Sequence, residues 1–188
     1  KLINTVFPFK YNDLETLKKI IKNKNIGIIK MEVQRNIPPK NNFLHEVRKL
    51  ANKNKIVLIF DECTTGFRLT DGGLHKKYKV YPDICILGKA LGNGYAINAV
   101  MGKKEIMKSA EETFISSTFW TERIGPTAAL STIKEMDRIK SWEIIKKRGK
   151  SIKSEWKSIA KSTGVDIEIS GIDSLPQFKI LDEKFNYF

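Results

Sequence analysis

Two cysteines and two histidines are all that the 188 residues carry of those types, and only 6 of the 34 basic residues are arginine. Cys63 and Cys85 both lie in apolar, strand-like surroundings, which excludes a disulfide framework and reads as buried free thiols in a reducing, cytoplasmic setting. His45 falls on a helix among apolar positions and His75 in a basic loop, with no paired cysteines nearby, so no metal-ligand spacing is present. The longest apolar run is residues 56–60, against the roughly 18 a membrane-spanning helix needs. No basic start leads into an apolar centre and a small-residue cleavage site, so no signal peptide is read; opening on Lys1, the chain reads as a piece of a longer one.

What is there is an ordinary globular balance, 41% apolar and 29% charged, enough to bury a core. The net charge of +13 comes from 28 lysines, and 25 isoleucines stand against 13 leucines, a joint bias that AT-rich coding produces by itself. Lysines such as Lys18, Lys19, Lys22 and Lys24 follow helical segments as solvated faces, whereas nucleic-acid surfaces favour arginine with interleaved aromatics. The composition thus argues against a nucleic-acid partner.

Apolar periodicity predicts a helix from Asn12 or Asp13, with Asn12 as cap, Glu15 as capping-box acid and Leu14, Leu17, Ile20 and Ile21 on one face. A β-branched run at 26–33 follows, and Pro38 and Pro39 force a loop. A second helix, capped by Asn41 or Asn42, carries Phe43, Leu44, Val47, Leu50 and Ala51. Strands are expected at 56–60, 84–87 and 96–101. Uniformly apolar strands alternating with helices describe the α/β class, a mostly parallel sheet with helices on both faces. About eight residues separate the last two strands, fewer than a parallel crossover needs, so the fourth strand is expected to run antiparallel. Helices are expected at 122–138 and 141–162, the latter burying Trp142, Ile145, Ile152, Trp156 and Ile159, then strands at 165–169 and 177–181 of a small α+β unit. The division falls near Ser141, giving units 1–140 and 141–188.

Reactive groups of open parallel sheets gather at strand carboxyl ends. There stand Lys30 and Glu32 after the first strand, Asp61 and Glu62 after the second, and Gly88 and Lys89 after the third. Residues 59–68 read Ile-Phe-Asp-Glu-Cys-Thr-Thr-Gly-Phe-Arg, and residues 82–94 read Pro-Asp-Ile-Cys-Ile-Leu-Gly-Lys-Ala-Leu-Gly-Asn-Gly. In this order, with 28 residues from Asp61 to Lys89, they resemble the class III aminotransferases, pyridoxal-phosphate enzymes of fold type I, in the branch containing glutamate-1-semialdehyde aminomutase. The resemblance covers nearly the whole chain, which would then hold part of the large cofactor-binding domain and the start of the small C-terminal one.

That resemblance implies pyridoxal 5'-phosphate as cofactor, with Lys89 as the lysine that joins it as a Schiff base and Asp61 as the carboxylate on its ring nitrogen. Cys63 matches a position packing on the ring face, its alternative being a buried thiol. Thr118 matches a threonine given to the cofactor phosphate of a neighbouring subunit, which implies a homodimer with its active site at the interface. Glu32 matches a substrate-facing glutamate, with a structural ion pair as the alternative. Gly92 to Gly94 lack nucleotide-loop spacing and read as a turn beside the lysine; Arg68 and residues 71–73 read as a surface loop.

Against the family pattern, the sequence lacks a phosphate-cup loop, a ring-stacking aromatic segment and a substrate-carboxylate arginine. The implied reaction is amino-group transfer between a small-molecule amino donor and a carbonyl acceptor. Departures at Val33, Asn93, Ala96 and Trp120 point away from the tetrapyrrole aminomutase and toward an amino-sugar or surface-polysaccharide precursor. The alternatives are that aminomutase itself, or an inactive basic polyanion-binding module on the same fold.

Overall fold

The computed structural model of the chain describes residues 3–116, 118–119 and 121–181. In chain order these form α1 (Leu14–Asn23), β1 (Ile28–Met31), α2 (Phe43–Lys53), β2 (Val57–Glu62), the one-turn α3 (His75–Tyr78), β3 (Ile84–Leu87), β4 (Ala99–Gly102), the one-turn α4 (Lys104–Met107), α5 (Ile124–Ile139), α6 (Ser141–Thr163), β5 (Ile167–Ser170) and β6 (Gln177–Ile180).

The first four strands form one sheet in the order β1-β2-β3-β4, parallel from β1 to β3, and the short connection to β4 makes that last pair antiparallel as expected. β4 starts at Ala99, later than the expected Ala96, because a 3-10 turn at Lys89–Leu91 and the Tyr95 N–H to Gly92 C=O bond of 3.0 Å use up the chain between. The register puts Ile29, Met31, Leu58, Phe60, Cys85 and Leu87 on one face, all buried. Leu17 of α1 and Phe43, Leu44, Val47 and Ala51 of α2 pack over it with Leu74 and Val80. Each large aliphatic or aromatic side chain so buried is worth about 1.5–3 kcal/mol, which anchors both helices. The opposite face, expected to lie under helices as well, is half-buried to exposed among the described residues, with Ile28 58% and Val100 55% accessible.

Asp13, not Asn12, caps α1: its Oδ1 accepts the Thr16 N–H at 2.9 Å and its Oδ2 the Thr16 hydroxyl at 2.7 Å. Asn12, with φ of 66°, instead accepts from Lys40 N and donates to Pro38 O, both at 3.0 Å, pinning the proline loop to the helix start. Glu15 closes no capping box and pairs with Lys18 at 2.7 Å. Asn42 occupies the cap position of α2 in left-handed conformation without a side-chain cap bond.

Lys140, left-handed with φ of 50°, separates α5 from α6. The apolar stripe of α6 is less buried than its periodicity predicts. Trp142, Ile145 and Trp156 are half-buried, while Ile152 and Ile159 are exposed. A two-stranded β5-β6 ribbon is too narrow to cover a 23-residue helix, and the main aromatic contact is Trp156 against Phe178 at 4.9 Å. Residues 182–188 of the expected small unit lie outside the described residues, as does Trp120.

At the amino end of β3, Asp83 ties three elements together: its carboxylate accepts from Leu58 N and Arg48 at 2.8 Å each and pairs with Lys103 at 2.8 Å. Burial pushes the carboxyl up, but the Leu58 amide and the two cations outweigh it and hold it below its ordinary value. A lowered folded value means that the stabilisation is complete above the unfolded carboxylate value of about 4 and fades as pH falls through the folded one. Asp83→Ala is expected to cost roughly 3–5 kcal/mol at neutral pH by leaving Arg48 unpaired. Urea midpoints measured across pH should show the gap to the unsubstituted protein narrowing below about pH 4.

Candidate active site

Successive side chains of a strand point to opposite faces, so the acidic pair ending β2 is split: Asp61 goes to the open face and Glu62 to the buried one. Asp61 Oδ1 accepts the Cys63 N–H at 3.2 Å, and Oδ2 pairs with Lys30 Nζ at 2.9 Å across from β1. Partial burial pushes Asp61 up. The Lys30 contact, the Cys63 amide and the charge of Lys89 outweigh that and leave the carboxyl below its ordinary value, an anion at neutral pH.

Lys89 stands one residue beyond Gly88 at the end of β3, beside β2 in the sheet, with φ of 45°, a conformation that a side chain with a Cβ seldom adopts. Its exposed amine donates to Thr64 Oγ1 at 2.7 Å. Gly88 permits close approach: a Cβ there would sit 2.1 Å from Asn98 Oδ1 and 2.7 Å from Cys63 Sγ, so those side chains would have to move. Cys63 is half-buried, its sulfur 3.9 Å from Asn98 Oδ1. Asp61, Cys63 and Lys89 are thus brought together, with Thr64, Asn98 and Lys30 added around them.

Thr118 is solvent-exposed and takes no part in the bonds that join this cluster. Glu32 follows β1, partly exposed, and meets Arg35 at 3.5 Å beside a cavity of about 210 Å³ lined with Tyr11, Asn36 and Ile37.

On the buried side Glu62 is fully enclosed. Its carboxylate accepts from Leu74 N, from His75 N at 3.2 Å, from Thr65 Oγ1 at 3.3 Å, and meets His75 Nδ1 at 2.5 Å. With Cys85 these residues form a compact group of potential metal donors, which the sequence spacing of His75 did not suggest. Burial and the nearby carboxylates of Glu62 and Asp61 push the Cys85 thiol up to about 12, so the free thiol stays protonated at neutral pH. Glu62 instead clamps residues 63–75 to the strand that presents Asp61.

This donor set fits pyridoxal phosphate: an amine to join an aldehyde, a carboxylate anion for a ring nitrogen, and a cradle at Gly88 that a Cβ would fill. Residues 10–172 match the family model for aminotransferase class-III. The 3-aminobutyryl-CoA aminotransferase of Cloacimonas acidaminovorans is 37% identical over 188 residues, 94% of this chain and 45% of that protein. The glutamate-1-semialdehyde 2,1-aminomutase of Nitrosopumilus maritimus is 43% identical over 140 residues, 70% of this chain and 33% of that protein. The FumI protein of Sphingopyxis sp. MTA144 superposes with a TM-score of 0.88 at 21% identity, covering 95% of this chain and 45% of that one, a likeness of fold. The chain thus spans less than half the length of these relatives.

Glu62→Gln sets its NH2 against either the Leu74 or the His75 N–H, which bond different carboxylate oxygens; it is expected to cost roughly 1–3 kcal/mol. Faster hydrogen exchange in residues 63–75 than in α2 would locate the loss in the clamped loop. The sequence, the site geometry and the family match agree: the chain belongs to the class-III aminotransferases.

Proposed function

We propose that the protein is a pyridoxal-phosphate-dependent enzyme of amino-group transfer, with Lys89 and Asp61 as its catalytic residues. The observation that carries this reading is the pairing of an exposed lysine amine, on a left-handed backbone, with an anionic carboxylate at the adjacent strand end. When bound, pyridoxal phosphate supplies an aldehyde that captures amines and a ring that draws electrons from the bond being broken.

Lys89 is the residue that would hold the cofactor through its aldehyde, its exposed Nζ being the amine available for that bond. The same Nζ would be the group that moves a proton to and from the substrate carbon. Thr64 Oγ1, 2.7 Å away in the structure, offers the free amine a hydrogen-bond partner. Asp61, an anion at neutral pH, would pair with the ring nitrogen and hold its proton. Cys63, placed beside Gly88, would pack on the ring face.

Thr118 is exposed and available to the cofactor phosphate of a second copy, which supports a homodimer with a shared active site. Glu32, beside its partly exposed cavity, is the group we assign to the substrate. The relatives include both a transaminase and a mutase. The departures at Val33, Asn93, Ala96 and Trp120 favour a transaminase whose substrate is an amino-sugar or surface-polysaccharide precursor. Conversion of glutamate semialdehyde to aminolevulinate at an enzyme-like rate would replace that substrate with the tetrapyrrole one.

Added pyridoxal phosphate is expected to give a visible absorption band, and borohydride reduction to fix the label on Lys89. Lys89→Ala should lose the band, the label and at least about 10²–10⁴-fold in rate. A label scattered over surface lysines, with no band, would refute the assignment.

A further inference from the structure

Lys30 interrupts an otherwise apolar β1, between Ile29 and Met31. The parallel register sets Lys30 beside Ile59 and Met31 beside Phe60, so Lys30 projects onto the same open face as Asp61, one strand away. Its Nζ lies 2.9 Å from Asp61 Oδ2, while Oδ1 already accepts from Cys63 N at 3.2 Å. Both oxygens of the carboxylate assigned to the ring nitrogen are therefore engaged by donors of this chain itself.

We propose that Lys30 is a positioning residue that sets how strongly Asp61 holds the cofactor's ring nitrogen, by sharing the carboxylate with it. This rests on the assignment of Asp61 to pyridoxal phosphate. A cation at ion-pair distance draws on the same negative charge that would keep the ring nitrogen protonated. Lys30 thus weakens that contact, binds the cofactor less firmly than an unshared aspartate would, and keeps Asp61 directed onto the open face when the ring is away. Its side chain is 57% exposed and that of Asp61 28%, so the ammonium has room to shift aside without breaking from the carboxylate.

The test uses purified protein stripped of cofactor, titrated with pyridoxal phosphate, comparing Lys30→Met and Lys30→Arg with the unsubstituted protein. Methionine is unbranched, one atom shorter than lysine and suited to an apolar strand; an unchanged circular dichroism spectrum verifies folding. Lys30→Met is expected to lower the dissociation constant about two- to fivefold, the range of a partly exposed ion pair. Lys30→Arg should leave it near the original value. With ring-labelled cofactor, the nitrogen-15 shift should move toward the protonated form in Lys30→Met, which a merely structural lysine would not cause. Unchanged or weaker binding with an unmoved shift, while Lys89 still takes the label, would overturn the role of Lys30 alone. Failure of every protein to take up pyridoxal phosphate would overturn the cofactor assignment, and this inference with it.

Discussion

Everything at the site hangs on the alternation of β2 at its last two residues. Because Asp61 and Glu62 must face opposite ways, one acidic pair does two jobs. Glu62 goes inward, where an enclosed carboxylate survives only if its oxygens are met, and meeting them folds residues 63–75 back onto the strand. Asp61 goes outward, where Lys30, Cys63 N and the charge of Lys89 keep it ionised. The inward clamp is what makes the outward group precise in position, since Cys63 and Thr64 belong to the clamped loop and touch, respectively, Asp61 and Lys89.

The same logic explains why the amine sits on β3 and not elsewhere. β2 and β3 are paired in parallel register, Glu62 beside Leu87, so the residues just past each strand end emerge side by side. A lysine there needs its backbone to turn, which the left-handed Lys89 does, and Gly88 before it leaves space for the Asn98 and Cys63 side chains. Backbone cost is accepted at Lys89, where it aims the amine, while no residue within strands β1 to β3 has a positive φ.

Much of this was legible in the sequence. Uniform apolar runs bounded by turn residues located the four strands, and connection length alone fixed the antiparallel sense of β4. The two motifs around Asp61 and Lys89, with their spacing, indicated the family. What stayed hidden depends on register or on competition among neighbours. Lys30 meets Asp61 only through the β1-β2 pairing, 31 residues apart in sequence but adjacent on one face. His75 meets Glu62 through a loop whose path no periodicity encodes. Asp13 displaced Asn12 as helix cap because Asn12 was engaged by Pro38 and Lys40, a tertiary claim that a local pattern does not contain. The expected burial of Ile152 and Ile159 failed for a complementary reason: periodicity reports which face of a helix is apolar, and burial needs a partner wide enough to cover it.

The excess of positive charge has a structural reading in the same terms. Several lysines and arginines are spent on short-range ion pairs along helices, as in Lys18 with Glu15, Lys49 with Glu46 and Arg138 with Glu135, exposed contacts worth little each. Other lysines pair away from the helix surfaces: Lys103 with buried Asp83, Lys153 with Gly171 and Asp173, and Lys30 with Asp61. A compositional drift toward lysine would scatter charge over surfaces without aim. Lys30 and Lys89 differ from that background because each sits where strand geometry directs it at a partner, one at the carboxylate and one at a hydroxyl 2.7 Å away. Position in the sheet, and not the count of lysines, is what separates chemistry from bias in this chain.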